Sequence, residues 1–341
     1  MLGIHYDYQN AVKRLETLAK KRITTGYLAH PLTRYANVGS TPATDEMLKI
    51  LLPQDIPRET FVYTNTHSAK SDVWRVVEHT ADDGQPEESV FTVHGIIVQC
   101  ELPPVVRPYP QQSAAKYVQQ KVTLTGFQSQ IFNDSISGIL HVDGHLRMNV
   151  RENGPAQYLS QQDMHATLEI GNRYFTSKRL ASTSEHIPFP PTIDPKGILE
   201  DLRGNHFLHT PENQVEYYEA FTVNDEQRYS ARCSFHQGPA LSFSSFRTVS
   251  PAFIKCGDIV EVQLTVSLVD HPQGKNDLGS SQYITKLILR SITLLDQSFS
   301  EKRRLASILP TKQVTLKRKI GHDEEQTREA QERLKRMAID R

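Results

Sequence analysis

The spacing of apolar residues changes character along the chain. Between residues 8 and 23, Ala11, Val12, Leu15, Leu18 and Ala19 recur at helical spacing, with Lys and Arg around the rest of the circumference. That pattern predicts an amphipathic helix whose apolar stripe needs a partner. A second, short helix is expected over 43–52, opening after Thr41-Pro42 and closed by Pro53. From about Glu59 the pattern becomes short β-branched and aromatic runs broken by Gly, Pro, Asn and Asp, as antiparallel β structure requires. Strands are expected over 61–63, 72–77, 89–100, 121–127, 138–141, 145–150 and 165–175. Further strands follow over 215–223, 228–235 and 241–249. Pro103, Pro104, Pro108 and Pro110 mark a surface crossover among them.

Two β elements are specified in more detail. Leu140, Leu146, Met148 and Val150 share one parity, and His141, His145, Arg147 and Asn149 the other. Burying the first set demands an odd loop, so a hairpin turning at Val142-Asp143-Gly144 is expected, with His141 opposite His145 on its exposed face. The clearest strand has Val260, Val262, Leu264, Val266 and Leu268 alternating with Glu261, Gln263, Thr265 and Ser267, after the turn Cys256-Gly257-Asp258. Its expected partner, 283–295, alternates less well because Lys286 and Arg290 interrupt the apolar side; a bulge or burial on both faces accounts for that.

Ile187-Pro188-Phe189-Pro190-Pro191 cannot join a sheet ladder, and its stiffness marks it as a domain boundary. The expected organisation is mainly β. A helical lead-in (1–56) precedes a first antiparallel β domain (57–185) and a second β domain (193–299) forming a small barrel or sandwich. A basic tail with a short charged helix (300–341) ends the chain, Glu329 and Arg333 pairing at i,i+4. The length suffices for two domains with separate cores.

Charge narrows the functional classes. Lys plus Arg and Asp plus Glu are 39 each, so no global field draws the chain onto nucleic acid or an anionic membrane, and any basic patch is local. The first ten residues lack the basic flank and apolar run of a signal peptide, and no apolar run approaches the roughly 20 residues that cross a bilayer. Three widely spaced cysteines, Cys100, Cys233 and Cys256, are the usage of a reducing compartment. An intracellular protein without a membrane partner is expected.

The strongest local signal is in the tail. Lys302-Arg303-Arg304 and Lys317-Arg318-Lys319 are separated by a spacer suited to two acidic grooves of one import receptor, which predicts a nuclear location. The second signal is aromatic and basic. Tyr217, Tyr218, Phe221, Tyr229 and Phe246 mix with Arg228, Arg232, Arg247 and Lys255, a combination that binds single-stranded nucleic acid on an OB-like barrel. Glu216, Glu219, Asp225 and Glu226 in the same stretch oppose it, and aromatics in β domains commonly form core. Cys233, His236, Cys256 and His271 form only a weak zinc pattern, without a C-x-x-C pair. No nucleotide-binding, hydrolase-elbow or zincin motif occurs, so no cofactor, no metal and no catalytic residue is expected.

Five segments carry a resemblance. They are Ile193-Asp194-Pro195-Lys196-Gly197, His209-Thr210-Pro211-Glu212-Asn213-Gln214-Val215-Glu216-Tyr217-Tyr218, Gly257-Asp258-Ile259-Val260-Glu261-Val262-Gln263, Leu289-Arg290-Ser291-Ile292-Thr293-Leu294-Leu295-Asp296 and the tail Lys317-Arg318-Lys319-Ile320-Gly321. With these the chain resembles a large uncharacterised family of predicted fungal proteins across its C-terminal half. The resemblance implies that the second β region and tail form a unit, and it favours a packing role for Cys256. The resulting expectation is a nuclear, non-enzymatic protein that associates with nucleic acid or chromatin. The expected contacts are Arg228, Arg232, Arg247 and Lys255 for phosphate, with Tyr217, Tyr229 and Phe246 for stacking. The competing expectations are a protein-interaction scaffold with an import tail and a metal-dependent enzyme of unfamiliar type.

Overall fold

The structure, a computed structural model, describes residues 2–3, 5–24, 30–36, 62–65, 73–79, 86–109, 112–150, 158–162, 165–181, 185–221, 245–271, 282–308 and 321–339. The expected helix over 43–52 and strand over 228–235 lie outside them. Two compact units divide the chain, 1–304 and 305–341.

The first unit opens with α1 (Tyr8–Thr24), followed by β1 (His30–Pro31) and a 3-10 turn (Leu32–Tyr35). Then come β2 (Val62–Asn65), β3 (Val73–His79), β4 (Pro86–Glu88), β5 (Phe91–Glu101) and β6 (Gln119–Thr125). Helix α2 (Gln130–Val150) leads into β7 (Leu159–Gln162), β8 (His165–Arg173) and the short β9 (Thr176–Ser177). After α3 (Ile198–Arg203) follow β10 (Phe207–Leu208), β11 (Glu216–Phe221), β12 (Ser245–Thr248), β13 (Ile259–His271) and β14 (Gln282–Asp296). Helix α4 (Ser298–Ile308) runs across the division, and α5 (Gly321–Ile339) belongs to the second unit. No helix among the described residues is long and apolar enough to cross a membrane.

Among the described residues, twelve strands make one sheet, in the order β12-β11-β14-β8-β6-β5-β13-β3-β2 with β1, β4 and β7 on its margins. A further pairing, β14 with β13, joins the cycle β5-β6-β8-β14-β13 back to β5. Four of its five junctions are antiparallel; β8 and β14 run parallel, with Ile288 opposite Gly171. Alternation explains the ring's filling. Val260, Val262 and Leu264 on β13, Val122 and Leu124 on β6, and Leu168 and Ile170 on β8 are all fully buried in one cluster. Strand β14 pairs with β13 throughout, but Gln263 faces Ser291 while Leu264 faces Leu289. Arg290 is therefore the extra residue of a bulge, which accounts for the broken alternation of this segment.

The Pro-rich segment does not separate two sheets. Strands from both sides of it are needed to complete the one ring, and its own Phe189 lies edge-on to Phe175 at 5.7 Å and against His209 at 4.2 Å. The expected division into 57–185 and 193–299 gives way because neither set holds a complete ring. A proline run at a surface reads the same whether it links two domains or packs on one.

The expected hairpin around Val142-Asp143-Gly144 is instead the middle of α2. Ile131, Phe132, Ser135, Ile139, Val142 and Leu146 are buried at steps of three and four, the helical period. The even-parity residues that suggested a strand do not share a face: Leu140 is 44% exposed and Leu146 fully buried. His141 and His145 are thus i,i+4 neighbours on a helix, not partners across strands.

Helix α1 forms as expected and lies over the outer side of β5 and β13. Leu15 and Ala11 meet Ile96, Val98 and Ile259, with Tyr6 and Phe299 closing the cluster. Asp7 caps its first turn through the Asn10 N–H at 3.2 Å. Near its middle, Glu16 accepts the Gln130 N–H at 3.2 Å and so caps α2 in turn.

Helix α3 is short and depends on Asp194. One carboxylate oxygen accepts the Ile198 N–H at 2.8 Å; the other accepts those of Leu199 and Glu200 at 2.8 and 3.1 Å. Gly197 enters the helix with φ of +70°. Asp194→Ala is expected to lower stability by about 1–2 kcal/mol, read as a lower urea midpoint at unchanged m-value. No change in midpoint would mean that the helix holds without its cap.

Candidate nucleic-acid interface

The connection from β5 to β6, residues 102–118, is anchored near both ends. The Val105 N–H donates to the Ile193 carbonyl at 2.9 Å, and the Tyr174 N–H to the Val118 carbonyl at 3.2 Å. Ala115 and Val118 are buried with Tyr174, Phe175, Leu199 and Leu202. Lys116 and Tyr117, between these anchors, turn outward. The Tyr117 ring is 69% exposed, and the Lys116 ammonium stands 4.5 Å from its centroid. Val106 and Tyr109 on the same connection are also exposed, and Arg107 with them.

The outer face of β6 and β8 continues from this loop. Gln119 pairs with Arg173, Lys121 with Gly171, and Thr123 with Glu169. Gly171 keeps the middle of the face low: a Cβ there would meet Lys121 Cβ at 3.0 Å. Lys121 lies 3.5 Å from Glu101 and 3.6 Å from Glu169. On neighbouring β14, burial chiefly, and then the nearby Arg173 charge, lower the Lys286 pKa. Arg107, Lys116, Lys121, Arg173 and Lys286 thus outnumber Glu101 and Glu169 on this loop and face. Cations beside solvent-facing rings can hold phosphates while bases stack.

The residues expected to bind are distributed differently. Tyr217 is 4% exposed and donates its hydroxyl to Gln120 at 2.6 Å, so its ring is core and cannot stack on a base. Phe246 is 43% exposed on β12, but the Arg22 guanidinium covers it at 4.6 Å and Tyr218 meets it at an angle of 66°. Arg247 is paired with Glu219 across β11 and β12 at 2.8 Å. Lys255 is exposed in the turn before β13, where its N–H donates to Asp258 at 2.7 Å. Arg228, Tyr229 and Arg232 lie outside the described residues, as do Cys233 and His236 of the weak zinc pattern and Lys317, Arg318 and Lys319 of the tail. Lys302, Arg303 and Arg304 are wound into α4. There Lys302 approaches the Phe299 ring at 5.7 Å, and half-buried Arg303 donates to the Cys256 carbonyl at 3.5 Å.

The Lys116-Tyr117 pair escaped the sequence reading because two residues show no periodicity. The available signal was their place beside a proline-dense crossover, flanked by small and β-branched residues that bury.

A second polar cluster sits beneath α1. Arg22 donates to both carboxylate oxygens of Glu261, at 2.8 and 2.6 Å, and His94 lies 3.0 Å from the same carboxylate. Burial would raise the Glu261 pKa, but hydrogen bonds from His94 and Arg22 outweigh it and hold it down at about 2. A cleft of about 280 Å³ opens beside Arg22, Phe246 and Tyr218. With Arg22 and Glu261 satisfying each other, the cluster ties α1 to β13 and leaves no carboxylate poised to exchange a proton. Among the described residues, no three His, Cys, Asp or Glu side chains gather as metal ligands. No family model matches the chain, and no curated protein is similar to it at a significant level.

Proposed function

We propose that the protein binds single-stranded nucleic acid, using loop 102–118 and the outer face of β6 and β8. The observation that carries this reading is the exposed Lys116-Tyr117 pair, presented between buried anchors at the edge of a cationic strand face. The order of strands supports it. β5, β6 and β8 form an antiparallel meander, β14 lies parallel to the third of these strands, and β13 returns to the first. We read this cycle as a small closed barrel of OB type, a fold that binds oligonucleotides on its second and third strands and on the loop between the first two. Here those are β6, β8 and loop 102–118. Fold analogy alone would not carry the function, which rests on the residues of the face.

Fluorescence anisotropy of labelled oligonucleotides over a salt series, with the full chain, tests the reading. Binding is expected to weaken steeply with salt as phosphate-bound counterions are released. Tyr117→Ala is expected to cost about 1–3 kcal/mol of affinity, from roughly fivefold to a hundredfold. Lys116→Ala is expected to reduce the salt slope by about one unit. Affinity unchanged in both variants would move the site elsewhere, and no salt-sensitive binding would leave a protein-interaction module as the better reading.

We infer a nuclear location from the two basic clusters of the tail. Import through Lys302-Arg303-Arg304 requires the first turns of α4 to unwind, so Lys317-Arg318-Lys319 carries the greater share in this reading. Neutralising that cluster in the full chain and imaging its distribution tests it; unchanged nuclear accumulation would reject the assignment.

A further inference from the structure

Two sulfurs far apart in sequence lie side by side. Cys100, next to the last residue of β5, and Cys256, in the turn before β13, are both free and half-buried. Their Sγ atoms are 3.5 Å apart across 156 positions of sequence. The turn that carries Cys256 is fixed to β5 by two hydrogen bonds at the residues that follow it. The Gly257 N–H donates to the Ile97 carbonyl at 2.8 Å, and the Ile97 N–H to the Asp258 carbonyl at 3.0 Å. Closing the gap to a sulfur–sulfur bond of about 2.0 Å takes roughly 1.5 Å of side-chain movement, within reach of a χ1 adjustment.

We propose that Cys100 and Cys256 are a peroxide-reactive thiol pair, in which Cys256 is oxidised first and Cys100 then closes a disulfide on it. The environments differ in the way this sequence of events requires. The hydrogen bond shared with Cys100 and the nearby Arg303 charge bring the Cys256 thiol down to about 7 against the cost of burial, while Cys100 is pushed up. Cys256 is therefore the sulfur that carries a thiolate near neutral pH, and the thiolate is the nucleophile.

In the first step the Cys256 thiolate attacks a hydroperoxide oxygen. The S–O bond forms, the O–O bond breaks, and the departing hydroxide takes a proton to leave as water when the oxidant is hydrogen peroxide. The product is a sulfenic acid at Cys256. In the second step Cys100 gives up its proton, its sulfur attacks the Cys256 sulfur, the S–S bond forms and the S–O bond breaks. The hydroxyl leaves with that proton as a second water. Two thiols and one peroxide thus yield one disulfide and two waters. The packing role expected for Cys256 is compatible with this chemistry, since both sulfurs also border the apolar clusters.

The full chain carrying Cys233→Ser, treated with a small excess of hydrogen peroxide under native conditions and analysed by intact mass and peptide mapping, tests the pair. The expected result is a loss of two hydrogen atoms, a single linked peptide joining Cys100 to Cys256, loss of iodoacetamide labelling at both, and full recovery with dithiothreitol. Cys100→Ser in the same background is expected to stop at a Cys256 sulfenic acid that dimedone traps. The proposal is overturned if both thiols stay alkylatable after treatment, if oxidation appears only after urea unfolding, or if dimedone marks no residue in the Cys100→Ser chain.

Discussion

Replacing Glu261 by alanine is expected to lower the unfolding free energy by about 3–5 kcal/mol, the cost of breaking a buried ion pair from one side. Arg22 is 5% exposed, and both its hydrogen bonds in the pair go to that carboxylate. The loss should appear as a lower urea midpoint, with α1 the first element to lose amide protection. Replacing both partners by apolar residues, Arg22→Met with Glu261→Leu, is expected to recover much of the loss, because no uncompensated charge remains. The same pair sets an acid limit. The Glu261 pKa is depressed in the folded chain, from an ordinary 4.5 to about 2, so its contribution is fully present above pH 4.5 and is lost as pH falls towards 2. Integrated over that interval, it amounts to about 3 kcal/mol. A Glu261→Ala chain as stable as the parent at neutral pH would show that the pair is open to water.

The second large effect comes from one hydrogen atom. An alanine methyl at Gly138 would stand 2.1 Å from the Leu32 carbonyl oxygen and 2.9 Å from its carbon, both backbone atoms of the turn that packs on α2. Helix propensity alone favours alanine over glycine by about 1 kcal/mol. The contact reverses the sign, since the methyl must push the turn and Tyr35 off the helix, and a net loss of about 2 kcal/mol or more is expected. Gly144 on the same helix has nothing within 4 Å of its would-be Cβ. Gly144→Ala is therefore expected to stabilise by about 0.5–1 kcal/mol. Thermal melts of the two variants decide the matter: if both rise, the close approach of α2 to the Leu32 turn is not there in solution.

Strand identity was largely legible in the sequence, and strand partnership was not. Alternation along 260–268 marks β13 with its inward face, and the irregular 283–295 was rightly ascribed to a bulge as one of two causes. Alternation says nothing about neighbours, however, and the partner of β13 opposite β14 is β5, whose Val262–Val93 contact joins residues about half the chain apart. The same limit explains the misplaced domain boundary. The α2 segment failed for another reason: short parity runs within 140–150 imitate a strand when the window excludes Ile131, Phe132 and Ser135. For the site, residue type without burial is ambiguous. Tyr217 and Tyr117 differ only in that one ring faces Gln120 in the interior and the other faces water.

The ring's closure by late strands also has a consequence for synthesis. β5, β6 and β8 leave the ribosome first, yet their cycle cannot close until β13 and β14 have followed. At ordinary elongation rates the 173–259 stretch alone takes on the order of ten seconds. Through that interval the nascent meander holds Val93, Val122, Leu124 and Ile170 against water with two unpaired edges, an invitation to aggregation that chaperones exist to meet. Translation must therefore reach the last strand before the first ones are safe, and a chain cut short anywhere before Asp296 should be cleared as misfolded rather than persist as a stable fragment.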